Sequence, residues 1–563
     1  MSDKDAALTH NGLPIPGTVY LLDLEQNLNN VVHGSQKEIV LVPQPTKDPN
    51  DPLNWSNMRK WITFFWPSWY TFFVAVLAAA LSPAYLDIAE GMGVSLDVLV
   101  NGSGYLFLLF GVGNLIMQPL ALNYGRRMMF TWFAIIGGVA FSIWFNFITE
   151  EQELYGNRVL TGFFLAPVES LQEVIVGDLF FAHERGFYMG VYVWVLMGGT
   201  YLGPLASSFV NGSMGWQWIN YFFAIFIGAG AIGSFFFMEE TMYYRPNAIK
   251  DQIAIDEAKT HHHMNVDESL VVPITSIASA NGDVIEKSGA VTSTSISDDS
   301  EAQVEEYRTK SFWEMRPILY TKIPGKPNSM IKSMYRPILI LFYFPPVLWA
   351  GITVASSLSW FMVLTGTVAS IFSAPPYNFG TTGLGLLYFS PFIGICIAVY
   401  LGGDFTDKLA LKLARRNGGV REPEMRLWTG IIALITTPVG MWMYGIGAAR
   451  GNHWIVPVLG FGIAAIGNTL AASLPYTYAL DCYKEFGGDV MVSIILVRNL
   501  MGFGFAYAIT PWVNHSGLQN CFIVVGILAF VFWIPMFPMI WWGKKSRAHT
   551  AQRAWIYAKD ASH

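Results

Sequence analysis

Charge is scarce in this chain. Only 13% of its 563 residues are Asp, Glu, Lys or Arg, where an average soluble domain carries roughly 25%. That excludes an ordinary water-soluble surface. Cysteine is scarcer still: Cys396, Cys482 and Cys521 lie in or beside apolar runs, which excludes a disulfide framework. There is no G-x-x-x-x-G-K-[ST] loop, so ATP drive within the chain is unsupported. No HExxH, paired CxxC or G-x-S-x-G elbow points to an enzyme. The run GFGIAAIG, Gly460 to Gly467, looks superficially like a dinucleotide loop. It lies inside an apolar stretch without βαβ context, so we read it as helix-packing glycine. No cleavable leader is read, because the first sixty residues are polar and the first apolar run would act as a signal anchor.

What is abundant is apolar surface: 53% of residues are hydrophobic and 15% aromatic, with a mean hydropathy of +0.39. Windows long enough to cross a bilayer fall near 61–84, 98–122, 128–149, 154–181, 187–210 and 217–239, then 338–367, 381–403, 427–448, 453–480, 488–512 and 519–542. The fold class is therefore an all-α polytopic membrane protein with twelve transmembrane helices in two six-helix bundles. The expected organisation is an N-terminal tail (1–60), an N-terminal bundle (61–240), a largely disordered linker (241–336), a C-terminal bundle (337–543) and a short tail (544–563). With both termini cytoplasmic, every Lys and Arg except Arg158, Arg450 and Arg498 falls on the inner side, as the positive-inside rule requires. The linker is polar and Ser/Thr-rich, and its His261, His262 and His263 read as solvated residues rather than a metal site. A weak internal echo joins the halves: GNLIMQPLALNYGRR (Gly113 to Arg127) and GGDFTDKLALKLARR (Gly402 to Arg416) each lead from an even-numbered span into a basic loop.

The stretch from Leu154 to Arg185 stands apart, because a run apolar enough to span carries Arg158, Glu169, Glu173 and Asp178. Ionisable groups at membrane depth are costly and mark functional sites by default. On a continuous helix, eleven residues make about three turns. Arg158 and Glu169 then share a face roughly 16 Å apart along the axis, with Glu173 within about 60° of the same direction. A charged stripe of that kind needs a polar cavity, which points to a solute or proton pathway. Arg158 cannot give up its proton, so it is cast as the fixed charge that tunes Glu169. Glu169 is the best candidate for a titrating or cation-binding carboxylate, and Glu173 is close enough to share a proton or cation with it. A buried structural ion pair of Glu169 with Arg158 or Arg498 is the alternative. Arg498 and Asn499, mid-span in the eleventh helix, are candidates for a substrate site or counter-charge. Asn468, Tyr476 and Tyr478 in the tenth, with Trp349 or Trp360 in the seventh, are candidate cavity residues. Gly199, Gly203 and Pro204 permit a close, bent helix contact. The sequons at Asn211 and Asn514 sit in outer turns, too near the bilayer to count on glycosylation.

At these residues the chain resembles the major facilitator superfamily, and within it the fungal twelve-helix drug:proton antiporters. The likeness is carried by DPNDPLNWSNMRKW (Asp48 to Trp61), by Tyr124, Gly125, Arg126 and Arg127, by Arg158 with Gly162, and by GGTYLGP (Gly198 to Pro204). EETMYYRP (Glu239 to Pro246), PPYNF (Pro375 to Phe379) and REPEMRLW (Arg421 to Trp428) are similar to the fungal branch, nearest to yeast transporters of histidinol, polyamines and other organic cations. The resemblance implies proton transfer near Arg158, and conformational roles for Gly125, Arg126, Arg127, Gly162, Gly199, Gly203 and Pro204. Leu122 and Asn123 stand where the family has Asp and Arg, so Asp407, with Lys408, is a candidate for that charge relay in the second half.

The expected activity is proton-coupled transport of a small cationic or amphipathic solute by alternating access, as export by antiport. Uptake of polyamine-like cations and a non-transporting sensor remain as alternatives. Arg158, Glu169 and Glu173 would couple protons; Glu169, Glu173, Trp349, Asn468, Tyr476, Arg498 and Asn499 would bind substrate. The expected partners are the solute, protons and the lipid of a fungal plasma membrane. No enzyme activity, cofactor, metal, nucleic acid or second subunit is expected.

Overall fold

A computed structural model describes residues 9–10, 13–20, 48–243, 311, 314–321, 330–417 and 420–561. The linker histidines and most of the Ser/Thr-rich linker lie outside the described residues. Eleven helices are long and apolar enough to cross a membrane: α1 (Asn57–Met92), α2 (Leu96–Tyr124), α4 (Glu151–Leu179), α5 (Phe187–Met214), α6 (Trp216–Phe237), α7 (Pro345–Phe372), α8 (Thr381–Arg416), α9 (Pro423–Ala449), α10 (Ile455–Cys482), α11 (Gly487–Ser516) and α12 (Leu518–Tyr557). The shorter apolar Met129–Phe145, here α3, makes the twelfth. Six helices precede and six follow the central segment, and they form the two expected bundles. The face holding residues 9–20 and the end of α12 is called the terminal face, and its opposite the far face.

The halves meet chiefly where α2 packs along α11 and where α5 packs against α8. Glycine permits the first contact. A Cβ on Gly111 would come within 2.8 Å of the Asn499 Cβ, so the two backbones approach as closely as that residue allows. Burial separates inner from outer helices: 89% of the most apolar window of α7 is buried, against 28% for α12. So α7 faces the centre and α12 the lipid.

Several boundaries depart from the sequence expectation, each for a local reason. The expected continuous span over 154–181 is broken. A helix over Glu151–Leu165 gives way to a 3-10 turn over Ala166–Glu169, and a second helix runs over Leu171–Leu179. Pro167 lacks the N–H that would continue the α-helix, and Ser170 leaves helical geometry at φ −126°. The open end is satisfied from neighbours: the Tyr192 hydroxyl donates to the Glu169 carbonyl at 3.2 Å, and the Ser170 hydroxyl to Asn114 Oδ1 at 2.9 Å. The seventh span starts at Pro345 rather than 338, because Phe344 is extended and a separate helix, Met330–Tyr343, precedes it. Residues 544–561, expected as a tail, continue a helix from Met536 to Ala561. In the outer turn expected over 85–97, Tyr85–Met92 is helical.

The amino-terminal tail and linker also contribute ordered pieces. Residues 9–10 and 13–20 lie on the carboxy-terminal half, where Val19 and Tyr20 pair antiparallel with Arg421 and Val420. Residues 314–321 lie on the amino-terminal half: Trp132 Nε1 donates to the Ile318 carbonyl at 2.7 Å, and Thr321 N to the Tyr124 carbonyl at 2.8 Å. Each half is capped by a segment remote from it in sequence.

Candidate functional site

The break in α4 decides where its charges go. Glu169 leaves the face of Arg158 and points across the interface between the bundles. One carboxylate oxygen takes a hydrogen bond and ion pair from Arg498 Nη2, and the other accepts from Asn499 Nδ2 at 2.8 Å. Asn499 Nδ2 also reaches the Ile495 carbonyl at 3.1 Å, which fixes its orientation. Glu169 is 5% exposed and the Arg498 side chain 14%. A charge pair removed from water this far stands only because each ion neutralises the other.

This corrects the expected partnership. Arg158 does not hold Glu169; its guanidinium lies 4.3 Å over the ring of Phe145, and no ion pair to it forms among the described residues. A buried cation over an aromatic face gains about 2 kcal/mol when desolvated, which partly offsets its lost hydration. Asn157, beside it, donates to the Phe141 carbonyl at 2.8 Å.

The pair opens onto a central cavity with about 80 Å³ of water-accessible space. Both bundles line it: Phe110, Glu169 and Tyr201 on one side, Phe361, Asn468 and Arg498 on the other. A drug-sized ligand needs about 300 Å³ or more, so this arrangement is contracted. Asn468 is 4% exposed, yet its amide nitrogen and oxygen both lack a partner among the described residues, as do Arg498 Nε and Asn499 Oδ1. Buried polar atoms without partners are rare because they forfeit hydration. Three of these four atoms belong to Asn468 and Arg498, which line the cavity, and a polar solute there would satisfy them; Asn499, expected at the substrate, does not line it and serves Glu169 instead.

Glu173 sits one turn beyond Glu169 and is buried, with its carboxyl meeting the Tyr476 hydroxyl from α10. Its Oε2 has no partner among the described residues. Glu173 and Tyr476 therefore make a second contact between the halves. Trp349 departs from expectation. Its ring packs edge-on against Tyr478 at 5.6 Å inside the carboxy-terminal core, and Ser357, Leu358 and Phe361 are the α7 residues at the cavity instead. Trp349 lies two or more turns from them along the same helix. Tyr201 and Phe361, whose rings are 5.6 Å apart across the cavity, were not singled out from sequence. Nothing distinguishes two aromatics among 40 Phe and 25 Tyr.

The candidate motif residues fall at two levels. Gly162, Gly199 and Gly203 take close backbone neighbours: a Cβ on them would meet Leu106 O at 2.5 Å, Phe72 O at 2.5 Å and Val76 Cα at 3.0 Å respectively. Pro204 lies inside α5, and its carbonyl accepts from Ser207 at 3.0 Å. At the terminal face, Gly125 has φ +111° and abuts Glu240, whose carboxylate accepts from the backbone N–H of both Arg126 and Arg127 at 3.1 Å. Arg126 pairs with Asp178 at 3.0 Å, so Asp178, not residues 122–123, supplies the acid there. Arg127 donates to the carbonyls of Phe235 and Pro317. Burial pulls its guanidinium down to about 10, against the raising effect of Glu240, so it stays charged at neutral pH. In the second half Asp407 pairs with Arg426 at 2.6 Å, and Arg426 also reaches Asp481 at 3.4 Å. Arg126–Asp178 and Arg426–Asp481 occupy matching places, each joining the loop before an odd-numbered span to the end of the span two places before the last of its half.

The far face is closed by hydrogen bonds between halves. Ser82 and Tyr388 hydroxyls meet at 2.8 Å, and those of Tyr105 and Tyr507 at 3.1 Å. The Asp87 carboxylate takes Asn211 Nδ2 from α5 and Thr381 Oγ1, the latter at 3.0 Å, from α8. Asn211 is thus 9% exposed and turned inward, unlike a glycan acceptor. Hydrogen bonds to a charged group are worth about 1.5–3 kcal/mol each. Asp87→Ala is expected to loosen this closure. In a Cys396→Ser background, a cysteine placed at Ser357 should react about tenfold faster with a membrane-impermeant thiol reagent applied at the far face. Unchanged reactivity would remove Asp87 from the gate.

Twelve spans in two bundles around a central, mostly apolar cavity that holds one buried ion pair define a membrane transporter rather than an enzyme. The Major Facilitator Superfamily profile matches residues 68–503, and the chain belongs to that family. It is 30% identical to the MFS-type transporter C1271.10c of Schizosaccharomyces pombe, over 96% of this chain and 94% of that one. It is 26% identical to the protein HOL1 of Saccharomyces cerevisiae, over 95% and 96%. It is 24% identical to the efflux pump FUBT of Fusarium oxysporum, over 87% of this chain and 73% of the pump.

Proposed function

We propose that the protein is a proton-coupled secondary transporter, working by alternating access and exporting a small cationic or amphipathic organic solute by antiport. The observation that carries this reading is the Glu169–Arg498 pair, because its two members belong to different bundles and meet at the cavity. Protonating Glu169, or bringing a cation to it, removes the attraction that Arg498 supplies across the interface. Only a differential interaction with two states can shift their balance, and a charge pair broken or made between rocking bundles is such an interaction. The efflux pump among the relatives supports the outward direction. The second carboxyl of Glu173, one turn away, favours uptake of polyamine-like cations as the other reading. The inner side would be the terminal face, where all but three of the Lys and Arg residues lie by the span order, and the membrane would be the fungal plasma membrane, with the monomer as working unit.

Purified protein in liposomes holding a pH-sensitive dye provides the test. Spermidine, then lipophilic cations and neutral drugs, would be added under an imposed pH gradient. Proton movement opposite to the solute establishes antiport, and movement with it establishes uptake. No proton movement with any of them would sink proton coupling to this class of solute.

A further inference from the structure

The most elaborate extramembrane contact in the molecule has no place in the transport cycle just described. Residues 9–10 and 13–20 seat on the terminal face of the carboxy-terminal bundle, against α12, the loop between α8 and α9, and the end of α10. Thr9–His10 folds back on Leu13–Pro14 as a hairpin, and Val19–Tyr20 adds a strand to Val420–Arg421. Between them Gly17 has φ +79°, and a Cβ there would lie 2.5 Å from the Asp481 carbonyl oxygen and 2.9 Å from Cys482 Cα. Ile15 is 7% exposed.

Beneath this segment lies Arg547, fully buried and paired through both Nε and Nη2 with Glu424 at 2.9 and 2.7 Å. Its remaining Nη1 donates to the Pro16 carbonyl and, at 3.1 Å, to Thr18 Oγ1. A guanidinium has five N–H donors and no way to lose its charge, so one turned away from its carboxylate needs acceptors. The bundle supplies the carboxylate and the tail supplies the rest. The strand partner Arg421 and the glycine's neighbour Asp481 themselves pair at 3.4 Å, within the Asp407–Arg426–Asp481 network.

We propose that the terminal face of the carboxy-terminal bundle is a peptide-binding site, that residues 13–20 are its resident ligand, and that occupancy sets the order of the Asp407–Arg426–Asp481 charge network. The site takes an extended peptide by strand addition, with a glycine at the closest approach and a carbonyl aimed at Arg547. The 27 residues between Tyr20 and Asp48 could span roughly 90 Å if fully extended, so chain connectivity to the amino-terminal bundle does not by itself fix where the segment lies. The seat itself must retain it. Displacement by another peptide of the same chemistry would then loosen the loop that carries Arg421 and Arg426.

The test uses the full chain with Gly17→Val, which sets a β-branched side chain against Asp481 in a left-handed backbone. A fluorescent peptide with the sequence of residues 9–20 is expected to bind this variant saturably and at least tenfold more tightly than it binds the wild-type chain, whose seat is filled. The same peptide carrying valine at the glycine is expected to bind neither. Equal binding to both chains, or none to the variant, overturns the proposal. Hydrogen exchange on the wild-type protein is independent of the variant's folding. The amides of Leu13, Ile15 and Gly17 to Tyr20 should exchange at least tenfold more slowly than in the free peptide, and exchange at the free-peptide rate would also overturn it. Neither readout depends on transport, so the proposed function can fail without this inference and the reverse.

Discussion

Glu169→Gln is expected to lower substrate-dependent proton movement in proteoliposomes by about 100-fold or more. Arg498 keeps its charge at any accessible pH, so the variant leaves a buried cation facing a neutral amide. Removing one member of a buried pair costs about 3–5 kcal/mol, and each 1.4 kcal/mol is about a factor of ten. Some of that loss is stability, which a second variant separates. Glu169→Gln combined with Arg498→Gln removes both charges and is expected to recover most of the melting temperature, since a neutral pair carries no uncompensated charge. It is not expected to recover coupled transport, because nothing remains to protonate between the bundles at that point. If Glu169→Gln alone leaves coupled transport at the wild-type rate in correctly inserted protein, the proposed mechanism is wrong.

Arg547→Ala tests the same chemistry in a different topology. Glu424 is 4% exposed and loses both of its Arg547 contacts, with the Tyr478 hydroxyl at 3.5 Å its remaining neighbour. The penalty is again about 3–5 kcal/mol, enough to lower the melting temperature in detergent by roughly 10 °C. Here both partners belong to one bundle, at the start of α9 and towards the end of α12. The folded fraction should therefore keep its proton-to-solute ratio, measured from the two fluxes in the same vesicles. A changed ratio would mean that this pair takes part in coupling. Adding Glu424→Gln should restore stability in the second case as Arg498→Gln does in the first, and only the first pair should be unable to regain transport.

How far the sequence was legible depends on the range of the interaction concerned. A membrane span is announced by its own composition, because bilayer thickness and backbone satisfaction set one length for every helix. The twelve windows were therefore countable, although Met129–Phe145 is shorter than the rest. Helix ends were harder, since hydropathy marks where the apolar part of α12 stops, at Trp542, but not that the helix runs on through Arg547. The candidate residues Glu169, Glu173, Arg498 and Asn499 were visible because an ionisable or amide group in an apolar run is improbable without a use. Their pairing was not visible. It assumed an unbroken helix, and Pro167 with Ser170 breaks it.

The all-α class, the two sets of six spans, the family and the short roster of charges placed at membrane depth could all be read from the residues alone. These follow from local hydropathy and from motifs within a few residues. Packing was needed to show that Glu169 faces Arg498, more than 300 residues away, that Arg158 lies against Phe145, that Trp349 belongs to the core, and that residues 13–20 complete the opposite bundle. Each of these contacts joins groups from separate elements, and a charge takes whichever partner the packed backbones bring within reach.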